Sequence, residues 1–497
     1  MDVSHYDERL AAWKAYLPVV PEGPVLAVGL DSAGLLSLAR SWRHVHAWRC
    51  GGSDVGIAAV QAERQDIDTD IKTVGDSGLN GHGYHAIAVR GALSGADADA
   101  LYGRLLPGGA LIHVGGGACG RRLLSLGSVP GGRASEYALL PARDPKVIIP
   151  LASPAMTLSG LRFYLPRRRY RRMWVRIGGL ALRAGVPGLL GRRRMIKVTK
   201  PGALPGDAYL LDWIGRLIVT RACDAAAYIG NNRTPRRRLT LQVFDYSGRA
   251  VSVVKVADTE DARDVSSRET AALSAISQAA VLRGSIPNVI SHEDWQGYSV
   301  MAQGFVPMNG IRYPAGLTPA HVSFLESLGR VGRNEMRLLD WPKWREIEAW
   351  SMTWPFASKE EGELAGKTVR WLREDFGETR FVFHRAHGDF TPWNALVTDG
   401  GGLMVFDWEY STPFGLPFYD LAYFALKTHE YSKGRRLSLA ELFSLTTGGL
   451  GVEDHILTLS RSLPNFSNLT AQRRKGLLKA HMALIFALLY MGNIAAS

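Results

Sequence analysis

Cysteine is scarce: the 497 residues hold three, Cys50, Cys119 and Cys223, far apart and without paired metal-ligand spacing. That excludes a disulfide framework and a thiolate zinc site, and it points to a reducing compartment. The sequence opens on the polar run Met1-Asp2-Val3-Ser4-His5-Tyr6-Asp7-Glu8 with no basic-then-apolar leader, so a cytoplasmic location is expected. Long apolar runs are also missing. The longest near the C-terminus, 480–491 with His481 inside it, falls short of the roughly 20 residues that cross a bilayer and reads as a buried helix. Acid is lacking in one stretch. Between Arg162 and Lys200 there are 11 Arg and 2 Lys with no Asp or Glu, a net of +13 that equals the formal charge of the whole chain. Elsewhere base and acid cancel, so the basic character belongs to this segment alone.

Within that segment Met173, Trp174, Ile177 and Leu180 recur three or four apart, among Arg167, Arg168, Arg169, Arg171, Arg172 and Arg176. The spacing predicts a basic amphipathic helix, of the kind attracted to an anionic membrane surface. The 167–200 region is therefore expected either to touch the inner face of a membrane or to be a linker helix between domains. Gly185, Pro187, Gly188 and Gly191 punctuate it as a boundary. No base-reading motif and no interleaved aromatic series accompany the charge, so no specific nucleic-acid partner is expected.

What the chain does contain starts with a β/α alternation over residues 1–155. Val25-Leu26-Ala27-Val28, Val45-His46-Ala47-Trp48, Ala86-Ile87-Ala88-Val89 and Ala110-Leu111-Ile112-His113-Val114 read as strands, with helical stretches between them. This predicts a doubly wound parallel sheet. The order, and the turn Leu106-Pro107-Gly108-Gly109 before a strand, resemble class I S-adenosylmethionine-dependent methyltransferases. That family normally has Gly-x-Gly in its first loop and an acid at the end of its second strand. Here the loop is Gly29-Leu30-Asp31-Ser32-Ala33-Gly34, and the strand runs into Arg49-Cys50. An Arg cannot accept the ribose hydroxyls. The region is expected to be a degenerate, Rossmann-like module kept for scaffolding or docking. S-adenosylmethionine (SAM) binding is the alternative, with Asp31 as the remaining carboxylate.

The chemistry-bearing stretch lies near the other end. His387-Gly388-Asp389-Phe390-Thr391-Pro392-Trp393-Asn394 sets a carboxylate and a carboxamide on one tight loop, able to face a hydroxyl and a metal together. Asp389 is the expected base for the hydroxyl, and Asn394 the expected Mg²⁺ ligand. Two short apolar runs, Leu396-Val397 and Leu403-Met404-Val405-Phe406, flank Gly400-Gly401-Gly402 and predict a hairpin that delivers Asp407 beside Asn394. One carboxylate and one carbonyl suit a hard cation that bridges nucleotide phosphates. The arrangement, with Gly415-Leu416-Pro417 and Asp420-Leu421-Ala422 downstream, resembles the aminoglycoside phosphotransferase and choline kinase family. The resemblance implies a bilobal, protein-kinase-like fold, ATP and Mg²⁺. His387 is placed at the catalytic loop, as a brace rather than a proton carrier.

Three strand-like runs upstream, Ala225 to Ile229, Arg238 to Phe244 and Ala250 to Ala257, suit the small antiparallel lobe of such a kinase. Lys255 sits where a cation meets the α- and β-phosphates. Glu269, in a helix expected to be capped near Ser266, is its implied partner. Gly230 and Asn231 lie where a phosphate-covering loop belongs, and backbone at Gln303 and Phe305 is expected to meet the adenine edge. Tryptophans 341, 344, 350, 354 and 371 are expected in the core.

The architecture expected is multidomain, α/β then α+β: a Rossmann-like domain over 1–155, a basic linker over 156–206, a kinase-like N-lobe over 207–306 and a C-lobe over 307–497. The expected activity is ATP- and Mg²⁺-dependent transfer of phosphate to a hydroxyl of a small molecule or glycan, such as a lipid-linked sugar. The alternatives are a bifunctional methyltransferase and kinase, and a membrane-associated pseudokinase scaffold.

Overall fold

The computed structural model describes residues 12–64, 67, 69–75, 82–115, 118–140, 145–163, 194–229, 236, 238–307, 316–353, 359–398, 400–435, 480–481 and 483–485. The chain divides into two compact units, Met1–Ser266 with Val289–Asn309, and Ser267–Asn288 with Gly310–Ser497.

The first unit is built on a 13-stranded sheet. Its strands in chain order are β1 (Val25–Val28), β2 (His44–Trp48), β3 (Asp70–Thr73), β4 (Tyr84–Arg90), β5 (Leu105–Gly115), β6 (Arg133–Leu140), β7 (Val147–Pro150), β8 (Arg194–Thr199), β9 (Ala222–Tyr228), β10 (Leu239–Asp245), β11 (Ala250–Ala257), β12 (Val289–Trp295) and β13 (Tyr298–Gly304). Across the sheet they run 12-13-11-10-9-7-6-8-5-4-1-2-3. The last five are mutually parallel. That is the order of a doubly wound sheet whose switch point falls between β1 and β4. β1 is buried at every position. Val25 and Ala27 join one core cluster and Leu26 and Val28 another, as a strand covered on both faces requires. Helices α1 (Ser32–Ala39), α2 (Gly52–Arg64), α3 (Gly95–Arg104) and α4 (Ala118–Leu126) supply the alternation read from the sequence.

From β5 outward the pairing is antiparallel, and here two expectations are corrected. The segment 156–206, read as a linker, supplies β8 in the middle of the sheet, between β5 and β6. Helix α5 (Pro154–Phe163) precedes it and α6 (Leu210–Leu217) follows. Met195, Ile196 and Val198 are buried and Arg194, Lys197 and Thr199 half-buried, a strand pattern that the surrounding arginines obscure. The expected amphipathic helix around Trp174 lies outside the described residues. Second, the boundaries at 155 and 206 do not bound a compact unit. β7 pairs with β9, Val147 opposite Tyr228 and Ile148 opposite Ala227, so the doubly wound part and the expected N-lobe strands share one sheet. A single core cluster runs from Trp13 and Val25 through Tyr137, Ala225 and Leu241 to Val254 and Ala302.

Polar contacts stitch the same parts. Tyr16 donates to the Ala225 carbonyl (3.1 Å), and Tyr137 to the buried Asp224 carboxylate (2.8 Å). Trp295 Nε1 donates to the Asp207 carbonyl at 2.6 Å. Lys14 Nζ pairs with Asp258 at 2.8 Å and stands 4.4 Å over the Tyr298 ring. The Tyr298 hydroxyl in turn bonds Ser41 and the Arg40 carbonyl.

Helix α7 (Glu260–Ser277) begins in the first unit's residues and ends in the second's. The second unit also holds α8 (Pro319–Leu328), β14 (Asn334–Arg337), α9 (Trp344–Thr353), α10 (Lys359–Phe376), β15 (Arg380–Ala386), β16 (Ala395–Val397), β17 (Leu403–Val405), β18 (Thr412–Gly415) and α11 (Tyr419–Lys433). β14-β15-β18 form a small sheet and β16-β17 a hairpin. The core takes Trp341, Trp344 and Trp350 with Phe381 and Phe383, and Trp371 packs against it, as expected; Trp354 is outside the described residues. Ala480, His481 and 483–485 are helical, and Ala480, Leu484 and Ile485 are part of this core. No helix of the described residues is long and apolar enough to cross a membrane.

Candidate active site

β15 runs into the loop 387–394, and the hairpin that follows fixes its far end. Ala395, Leu396 and Val397 pair with Val405, Met404 and Leu403. The next residue pair closes the ladder, Phe406 N–H donating to the Asn394 carbonyl at 2.8 Å. Asn394 and Asp407 therefore leave the hairpin at adjacent positions, as the sequence predicted. Asp407 holds the left-handed conformation, φ 64° and ψ 65°, uncommon for a residue with a Cβ and a local cost that clusters at functional sites.

The loop is held by charge-assisted hydrogen bonds. The Asp420 carboxylate, in the first turn of α11, accepts from His387 N–H (2.7 Å) and Gly388 N–H (2.9 Å). Gly388 has φ +84°, and a Cβ there would stand 2.3 Å from the Tyr410 carbonyl oxygen, so glycine is required. His387 is fully buried, with its ring 4.5 Å from Trp408. Its Nδ1 accepts from Asp389 N–H (3.1 Å) and its Nε2 faces the Phe406 carbonyl (2.8 Å). These partners assign the neutral tautomer protonated at Nε2, with both nitrogens engaged. The imidazole ties the loop to the hairpin.

Asn394 Nδ2 donates to Asp389 Oδ2 (2.9 Å) and to the Asp389 carbonyl (3.0 Å). That orients the amide and leaves Oδ1 as its acceptor end, the end a hard cation takes. Beneath the loop Phe390 stacks on Phe324 (5.9 Å, 9°), and His321 packs against Phe424 (4.7 Å) with Nε2 facing the Ala395 carbonyl at 3.3 Å. Burial drives the His321 pKa down to about 4. On α11, the phenol of Tyr423 lies within electrostatic reach of Asp389. Burial first, then the Asp389 charge, pushes its pKa well up.

The sequence missed the support that Asp420 gives the loop; the residue was visible only as a mark of family resemblance.

The remaining expected residues are distributed as follows. Lys255, buried near the end of β11, pairs across the sheet with Thr240 and Met301. Gln303 lies inside β13, and its carbonyl accepts from Ser252 Oγ (2.8 Å). Phe305 follows directly after that strand. Gly230 and Asn231 lie outside the described residues. Glu269 is buried in α7 and belongs to the second unit, whereas Lys255 belongs to the first. The helix starts earlier than expected. Thr259 Oγ1 caps it through Ala262 N–H (3.2 Å), so Ser266 is interior. Among the described residues no three His, Cys, Asp or Glu side chains gather as a metal cluster. Two ligands that share a cation with nucleotide oxygens need no such cluster.

At the doubly wound switch point the carboxylate is engaged. Asp31 Oδ2 accepts from Arg90 Nη1 (2.7 Å), and Oδ1 caps α1 through Gly34 N–H (3.0 Å). At the end of β2, Arg49 lies 4.2 Å over the Trp48 ring and pairs with Asp97 at 3.1 Å.

No curated protein matches the chain. Solved structures similar to the N-terminal region include a SAM-dependent methyltransferase from Thiobacillus denitrificans in complex with S-adenosyl-L-homocysteine (16% identity, 39% of this chain and 89% of that one, TM-score 0.23). Another is a precorrin-6Y C5,15-methyltransferase from Geobacter metallireducens (12%, 27% and 76%, TM-score 0.21). At these scores the likeness carries no argument about this chain. The model of the phosphotransferase enzyme family (APH) matches residues 242–444, a span that includes Lys255, Asp389, Asn394, Asp407 and Asp420. Residues 242–444 are thus a domain of the phosphotransferase enzyme family, in a chain whose first part is a doubly wound α/β fold.

Proposed function

We propose that the chain transfers the γ-phosphoryl group of ATP to a hydroxyl of a small-molecule or glycan acceptor. The observation that carries this reading is the Asn394 amide. It hydrogen-bonds Asp389 on one side and, through the Phe406 bond to its carbonyl, stands next to Asp407 on the other. Base and metal ligands thereby form one rigid constellation. Asn394 Oδ1 and Asp407 would hold a Mg²⁺, whose chemistry would be to neutralise charge on the transferred phosphate. Asp389 orients the acceptor hydroxyl and takes its proton as the new oxygen–phosphorus bond forms and the bond from γ-phosphorus to the bridging oxygen breaks, releasing ADP. Lys255 is assigned to the α- and β-phosphates. His387 transfers no proton, since both ring nitrogens hold the loop. Asp389→Asn should abolish phosphate transfer while leaving ATP binding by calorimetry intact. Unchanged turnover would overturn the assignment.

The same reading treats the doubly wound part as a brace rather than a methyl-transfer module, because Arg49 ends the strand where an acceptor for ribose is expected and the remaining carboxylate, Asp31, is held by Arg90. Calorimetry with SAM should give no binding heat, and saturable binding would restore the bifunctional alternative.

A further inference from the structure

We propose that His321 is a positioning residue of the cation site, whose imidazole fixes the backbone from which Asn394 presents its amide oxygen. The inference rests on the phosphotransferase reading above and deepens it. Phe406 N–H donates to the Asn394 carbonyl and Ala395 pairs with Val405, so the N–H and C=O of Ala395 itself point away from β17. No third strand lies on that side, because β16 and β17 form a two-stranded sheet. Ala395 is fully buried, and bulk water does not reach these groups. Each takes its partner from elsewhere in the fold. The N–H donates to the Thr391 carbonyl (2.9 Å), and the carbonyl accepts from His321 Nε2 (3.3 Å). The tautomer that this bond needs is set on α8. Thr318 N–H donates to His321 Nδ1 at 3.1 Å, which leaves the ring proton on Nε2, and the Thr318 hydroxyl lies 2.7 Å from the same Nδ1. The ring is fully buried and packs against Phe390 and Phe424 at 6.0 and 4.7 Å, so it has no room to turn away. Asn394 is thereby held on both sides, its own N–H on Thr391, its carbonyl on Phe406 and the next carbonyl on His321. Without the imidazole donor the Ala395 carbonyl is stranded in the core. The chain regains a partner for it only by shifting Ala395, and with it the neighbouring Asn394, whose amide oxygen then leaves the cation it shares with Asp407.

The test uses the full chain with ADP and takes Mn²⁺ as the probe cation. Free Mn²⁺ is read by electron paramagnetic resonance, against ADP alone, for wild type and three variants at His321. His321→Gln carries an amide N–H out to the reach of Nε2. His321→Asn matches Nδ1 and keeps the Thr318 contact but stops short of Ala395, and His321→Phe keeps a packed ring without a donor. The Mn²⁺ dissociation constant is expected to rise about tenfold in His321→Asn and His321→Phe and to stay within about threefold of wild type in His321→Gln. The half-saturating free Mg²⁺ for ATP turnover should rise in the same order. Both readouts are constants rather than amplitudes, so a smaller folded fraction does not move them. Wild-type Mn²⁺ affinity in either donor-less variant overturns the proposal, and so does equal weakening in all three. Should neither donor-less variant fold, His321 supports the core as a whole and the proposal falls. A wild type that takes up no Mn²⁺ beyond that held by ADP alone overturns the phosphotransferase reading itself, and with it the role given to His321.

Discussion

Single side chains around 387–394 decide whether the loop exists at all. Replacing Asp420 by Ala leaves two loop N–H groups without their charged acceptor. We expect a loss on the order of 3 kcal/mol and no measurable phosphate transfer, read by urea denaturation and an ATP-turnover assay. Gly388→Ala forces a Cβ into the Tyr410 carbonyl at a positive φ, and about 2–4 kcal/mol should be lost in the same denaturation experiment. A stable, active Gly388→Ala protein would mean that the loop relaxes at no cost. The proposed chemistry could be read from the sequence because phosphoryl transfer would restrict residue type and spacing together, as in the five-residue step from Asp389 to Asn394. The supports could not. Asp420 lies 31 residues beyond Asp389, and only folding brings it back to the loop.

Elements carry the coupling between segments far apart in the chain. The 3-10 turn Ala12–Ala15 presents Lys14 to Asp258, which immediately precedes the Thr259 cap of α7. Burial alone would raise the Asp258 pKa. The charge and hydrogen bond of Lys14, with Arg40 nearby, outweigh it and hold the carboxyl low. Lys14→Met should therefore destabilise by about 3–5 kcal/mol by stranding a buried carboxylate, and Lys14→Met with Asp258→Asn by markedly less. A double-mutant cycle in guanidinium measures the difference; equal losses would show that the pair has no mutual dependence. Strand positions such as β1, β10 and β11 could be read from apolar runs alone. β8 could not, because its alternation sits at the end of a run of arginines, and neither pairing partner precedes or follows it directly. The true start of α7 was hidden for a different reason: Ser266 satisfies the composition of a cap, but the chain is already helical there.

At the scale of the molecule, six described histidines, His46, His85, His113, His292, His321 and His384, have pKa values lowered chiefly by burial. Neutral in the fold and readily protonated when unfolded, they contribute stability that is complete above about pH 6.5. It is lost as pH falls below that, down to about 4 for His321, whose share is at most roughly 3 kcal/mol. Urea midpoints should be lower at pH 5.0 than at 7.5, and equal midpoints would contradict the shared direction of these shifts. The shared sheet gives a second expectation. Residues 207–497 expressed alone leave the β9 edge unpaired and uncover part of one core, so the fragment should aggregate or unfold where the full chain does not. A monomeric fragment with a cooperative transition would show that the kinase lobe needs no brace. The place of β8 also governs how the protein is made. β6 and β7 leave the ribosome well before Arg194, yet β6 can reach β5 only through β8. A nascent chain that pauses before residue 200 carries two sheet fragments with exposed edges, so translation speed through the arginine run sets how long an aggregation-prone intermediate lives.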